Sequence, residues 1–213
     1  FDIGGGSVSR RSVAAGGGVP DGASTEPSSN ADGTIIAFTS EATNLVLGDS
    51  NGVADVFSVD AGGTIERISH GVLGEGDAPS GQPSMASGSN TISFSSSASN
   101  LVVGDTNAVV DIFVHTPGSN IQRIVKLSGT QFSAESAAPS INSDATRVAF
   151  LTDGSNIGQS TGLIAVAVDL IDFTISAISV LGNSDNVVPA THVSISSDGA
   201  YASFNSIAKL DGS

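Results

Sequence analysis

Two segments, GDSNGVADVF and GDTNAVVDIF, place acidic and amide side chains at matching intervals. Asp49, Asn51 and Asp55 in the first, and Asp105, Asn107 and Asp111 in the second, put oxygen donors at relative positions 1, 3 and 7. A hard cation such as calcium takes about six to eight oxygens, and a turning loop supplies alternating side chains plus a main-chain carbonyl. Val53 and Val109 stand where that carbonyl falls. The expected chemistry is calcium binding, with Asp49, Asn51, Val53 and Asp55 as one ligand set and Asp105, Asn107, Val109 and Asp111 as the other. Position 5 carries no acid, and position 12 is Asp60 or Thr116 rather than glutamate, so neither loop is an EF-hand. The same side chains would also serve an inter-strand turn by accepting bonds from backbone amides. Recurrence of the motif is compatible with either role.

Other chemistry-bearing residues are less organised. His70, His115 and His192 fall at unrelated spacings, which argues against a symmetric metal site. The chain is rich in serine but has no Gly-x-Ser-x-Gly elbow, and its glutamates sit in no distinctive context. A non-enzymatic protein is expected, with no catalytic residues. Lys and Arg number 7 against 21 Asp and Glu, a formal charge of −14. Such a field repels phosphate backbones and anionic membranes, so nucleic acid is not an expected partner. No apolar run is long enough to span a bilayer, so no membrane insertion is expected. There is no cysteine, and a domain of this size can bury a core without disulfides.

The elements that must position these loops repeat. Phe38, Phe94, Phe150 and Phe204 are spaced by 56, 56 and 54 residues, and Arg11, Arg67 and Arg123 by 56 and 56, with Ala177 next. The arginines are expected to pair with acids at exposed sheet edges. Within each unit apolar residues alternate with period two between Gly, Asn, Asp and Ser clusters, the pattern of strands and turns. In the first unit the strands are expected near 27–30, 34–39, 55–59 and 64–69. A third copy keeps the frame but loses the Asp-rich loop, with Asn156 and Gln159 in its place. The fold class is all-β, a propeller of four-stranded blades. Repeats fall at about 13–69, 70–126 and 127–180, and the fourth, 181–213, is completed by residues 1–12. In that arrangement a strand from 1–12 finishes the blade begun by 191–210, or does so in a neighbouring molecule; the alternative is a fragment of a propeller of about six to eight blades.

Pro27-Ser28, Asp32-Gly33 and Ile36-Ala37-Phe38-Thr39-Ser40 resemble the WD40-like (PD40) repeat of TolB-type propellers. Pro139, Ser140, Asp144, Val148, Ala149 and Phe150 repeat the likeness, while Gly88-Ser89 depart from it. The resemblance implies a propeller and an extracytoplasmic setting, either extracellular, on the cell surface or periplasmic. The preferred expectation is a secreted structural or interaction module, calcium-stabilised, whose partners are other protein chains including copies of itself. The alternatives are a propeller that binds a peptide or glycan, and the non-catalytic domain of a larger secreted hydrolase.

Overall fold

A computed structural model describes residues 9–125, 128–158, 162–179 and 189–206. The first sheet runs β1 (Ser24–Ser29), β2 (Ile35–Ser40), β3 (Asp55–Asp60) and β4 (Ile65–Arg67), antiparallel and in chain order. A small hairpin, β5 (His70–Gly71) and β6 (Gly74–Glu75), leads to the second sheet. That sheet is β7 (Ser80–Met85), β8 (Ile92–Ser96), β9 (Asp111–His115) and β10 (Gln122–Arg123). The third is β11 (Ser136–Ile141), β12 (Arg147–Asp153), β13 (Leu163–Asp169) and β14 (Ile175–Ala177), with a 3₁₀ turn at Gly154–Ile157. A fourth begins with β15 (Ala190–Ile195) and β16 (Ala202–Ser206). The expected strands therefore form at the expected phases. Of the proposed closing segment, 1–12, only residues 9–12 are described, and they carry no strand.

Each sheet is a blade packed face to face on the next. Phe94 and Phe113 stack at 5.7 Å and pack with Ala37, Val56 and Ile68 of the first blade. Ile112, Val114 and Ile124 pack with Val148, Phe150 and Val166, joining the second blade to the third. Ala149, Leu151 and Ala165 meet Ala190 and Val193, joining the third to the fourth. Because blades are covered on both sides, β8 is buried at every position rather than at alternate ones.

Polar groups stitch the inner strands together with the period of the repeat. Ser28 Oγ accepts from Met85 N at 2.9 Å, Ser84 Oγ from Ile141 N at 3.2 Å, and Ser140 Oγ from Ile195 N at 3.1 Å. Glu26, Gln82 and Ala138 hold φ of 54°, 55° and 51° beside a break in the strand register. That left-handed turn presents the backbone N–H of Gln82 to Glu26 Oε2 and that of Ala138 to Gln82 Oε1, both at 2.8 Å. The Asp-Gly pairs at 32–33 and 198–199 form turns. Asp32 Oδ1 accepts from Thr34 N, Asp198 Oδ1 accepts from Ala200 N, and Gly33 and Gly199 take φ of 70° and 69°.

Candidate functional site

The two Asp-rich loops connect β2 to β3 and β8 to β9, and each closes on the arginine that ends its own blade. Arg67 Nη1 lies 3.0 Å from Asp49 Oδ1 and 3.6 Å from Asp55 Oδ2, while Nη2 reaches Glu75 Oε1 at 2.8 Å. Arg123 Nη1 repeats the geometry at 2.7 Å from Asp105 Oδ1 and 3.6 Å from Asp111 Oδ2. The arginines do pair with acids, but not at an exposed edge. Their side chains are 7% and 8% exposed, and those of Asp55 and Asp111 0% and 1%, because the loop folds back over the outer strand.

The amides face the same way in both loops. Asn51 Nδ2 donates to Asp55 Oδ2 and to the Gly76 carbonyl, at 2.9 and 3.0 Å. Asn107 Nδ2 donates to Asp111 Oδ2 and to the Phe132 carbonyl, both at 2.8 Å. Each loop is thereby tied to the linker entering the next blade. Asn51 Oδ1 accepts from Val53 N at 3.2 Å, and Asp55 Oδ1 from Ser69 Oγ at 2.5 Å. Val109, at the matching place in the second loop, is half-buried, but Asn107 Oδ1 receives no such bond.

The expected ligands are thus brought together around a guanidinium. Asn51 turns its N–H rather than its oxygen toward Asp55, and Arg67 stands where a cation would. Among the described residues no group of three or more His, Cys, Asp and Glu is placed to hold a metal ion. This arrangement does not fit a calcium ion with about six to eight oxygens around it.

The third blade is informative because it lacks the whole device. Ile164 lies at the phase of Asp55 and Asp111, opposite Thr152, and Ala177 at the phase of the arginines, opposite Val166. Acid and arginine are therefore replaced together. The coordinated loss of loop and arginine is visible in the sequence and is the signal that pairs them.

The second loop is the less satisfied of the two. Val125 replaces Ser69, and the Oδ1 atoms of Asp111 and Asn107 are buried without a hydrogen-bond partner. Ala108 replaces Gly52 at a φ of 55°, where a Cβ is strained. Burial pushes the Asp111 carboxyl up to about 6, against the Asn107 hydrogen bond. Burial also raises Asp49, against the attraction of Arg67. Glu75, hydrogen-bonded by Arg67, is held low.

A raised folded-state value means that the folded chain holds the Asp111 proton more tightly than the unfolded chain. Stability conferred by that proton is present below about pH 4 and is lost as pH rises to about 6, by about 1 to 3 kcal/mol. Urea unfolding across that range checks it. Asp111→Asn removes this part of the slope, and Val125→Ser, which supplies the missing hydroxyl, reduces it. An unchanged slope in both variants would mean that Asp111 titrates normally.

No protein-family model matches the chain, and no curated protein does. Among solved structures it is similar to TolB from Acinetobacter baumannii, at 15% identity and a TM-score of 0.53, over 90% of this chain and 39% of that one. It is also similar to an oligogalacturonate lyase in complex with manganese, at 14% identity and a TM-score of 0.54, over 87% of this chain and 48% of that one. An oligogalacturonate lyase from Vibrio parahaemolyticus gives 16% identity and a TM-score of 0.51, over 82% and 44%. The chain has a propeller fold. Its sheets are separate blades rather than one closed barrel, and the chain spans less than half the length of these three structures. No helix among the described residues is long and apolar enough to cross a membrane.

Proposed function

We propose that this chain is a non-enzymatic interaction module of an extracytoplasmic protein, and that its acid–arginine clusters are fasteners rather than reaction or metal centres. The observation that carries the reading is the joint replacement of acid and arginine in the third blade by Ile164 and Ala177. The set recurs in two successive blades and is lost as a unit in a third that keeps its four strands, as expected of paired groups that fasten loop to outer strand rather than of a single reaction centre. With these side chains turned inward, the blade ends and their loops are left as the surface for partners. The low content of basic residues and the net charge of −14 suit a soluble surface that avoids nucleic acid. Self-assembly is the second form of the same reading, and sedimentation at high protein concentration distinguishes it.

Calcium separates the fastener from the metal site originally expected. Thermal unfolding in EGTA and in millimolar calcium gives the same midpoint if arginine is the counter-charge. A midpoint that rises with free calcium by mass action, and stops doing so in Asp55→Asn plus Asp111→Asn, would restore the loops as metal sites.

A further inference from the structure

The strand registers divide the molecule into two ends. Ser40 pairs with Asp55, and β4 runs antiparallel to β3, so the loop 41–54 and the linker 68–79 leave the first blade at one end. The second and third blades repeat this, with Ser96 opposite Asp111 and Asp153 opposite Leu163. Eight large apolar side chains are exposed among the described residues, and Val19, Leu47, Val72, Leu73, Val103 and Leu163 all lie at this loop end. Ile171 and Tyr201 alone lie at the other. Four of the six, Leu47, Val72, Leu73 and Val103, sit on the long connections 41–54, 68–79 and 97–110, whereas short turns close the other end.

The loop-end residues are linked to one another. Leu47 and Val103 are 92% and 76% exposed and occupy the same phase of successive blades. Between them stands the β5–β6 hairpin with Val72 and Leu73 at its tip. Glu75 of that hairpin accepts from Ser50 N and Oγ, on the loop that carries Leu47. On its other side Gly71 lies so close to Leu101 that a Cβ there would come within 2.3 Å of the Leu101 carbonyl oxygen. The loops that carry Leu47 and Val103 are thus both tied to the hairpin that carries Val72 and Leu73.

Among the described loops and linkers at this end, acidic side chains predominate. Asp21, Glu41, Asp77 and Glu135 are exposed there, and hydrogen bonds from Thr43 and Ser99 hold Asp21 and Asp77 low and ionised. The blade arginines Arg67 and Arg123 are buried in their ion pairs and cannot offset them. We infer that the loop end is a docking surface for a cationic, aliphatic segment of another protein, Lys or Arg meeting the acids and apolar side chains covering Leu47, Leu73 and Val103. This rests on the interaction-module reading and specifies the partner. A second copy of the chain is a poor occupant, since it brings a net charge of −14 to an acidic face.

The test titrates the whole chain with a fluorescent amphipathic peptide of leucine and lysine, and with its counterpart in which glutamate replaces lysine. The lysine peptide should bind, more weakly as salt rises, and Leu47→Ser plus Leu73→Ser plus Val103→Ser should weaken it tenfold or more. Ile171→Ser plus Tyr201→Ser should leave it unchanged, with both variants melting as the parent does. Equal weakening by both variants, or binding of the glutamate peptide, would overturn the inference. A dimer that the triple variant abolishes would replace the occupant with a second copy and leave the module reading standing. Neither peptide binding nor dimer would remove both.

Discussion

Phe94→Ala lowers the free energy of unfolding by about 3 to 5 kcal/mol, the usual cost of truncating a fully buried aromatic. The ring is 0% exposed, stacks on Phe113 with planes 22° apart, and packs against first-blade residues through Ala37 and Val56. Truncation therefore removes apolar burial and opens a cavity between two blades that are each fixed by their own ladders. Collapse is resisted because Ser28 and Ser84 stitch both boundaries of the second blade. Phe204, only half-buried on the fourth blade, should give a smaller loss when truncated. Urea denaturation of both variants measures the difference. A loss below about 1 kcal/mol at Phe94 would mean that the ring does not fill the interblade space.

That burial is legible in the sequence, because repeat spacing registers one blade on the next and period-two alternation locates the strands. Phe38, Phe94 and Phe150 all fall on β2-type strands at one phase and are 5%, 0% and 0% exposed. The inner-strand bulges were not legible. Glu26, Gln82 and Ala138 each precede a proline, which ordinarily favours extended backbone, yet each is left-handed because its N–H or side chain answers a group one blade away. Such a contact spans 56 residues and leaves no local pattern. The arginines were misplaced for a related reason. An outer strand is assumed to show alternate residues to solvent, but the acidic loop lies over Arg67 and Arg123 and takes them out of water. Only the third blade, with Ile164 and Ala177, held the information that loop and arginine belong together.

Arg67→Met tests that pairing most severely, and it should cost about 3 to 5 kcal/mol, as removal of one partner from a buried ion pair does. The loss comes less from the missing attraction than from what stays behind: Asp49 and Asp55, with side chains 3% and 0% exposed, beside Glu75 and with no positive group to answer them. Adding Asp55→Asn to Arg67→Met should recover part of the loss, so the two substitutions together cost less than the sum of each alone by more than about 1 kcal/mol. Additive costs, or a single loss below about 1 kcal/mol, would reduce the cluster to a solvated turn. The variant also explains why the sequence suggested calcium. Without the guanidinium, Asp49, Asp55 and Glu75 become an uncompensated acidic loop, and calcium should raise the melting point of Arg67→Met while leaving the parent chain unmoved. Such a rise in the variant alone would mean that the guanidinium takes the place of a cation, and no rise in either protein would leave the loop a fastener with no latent metal site.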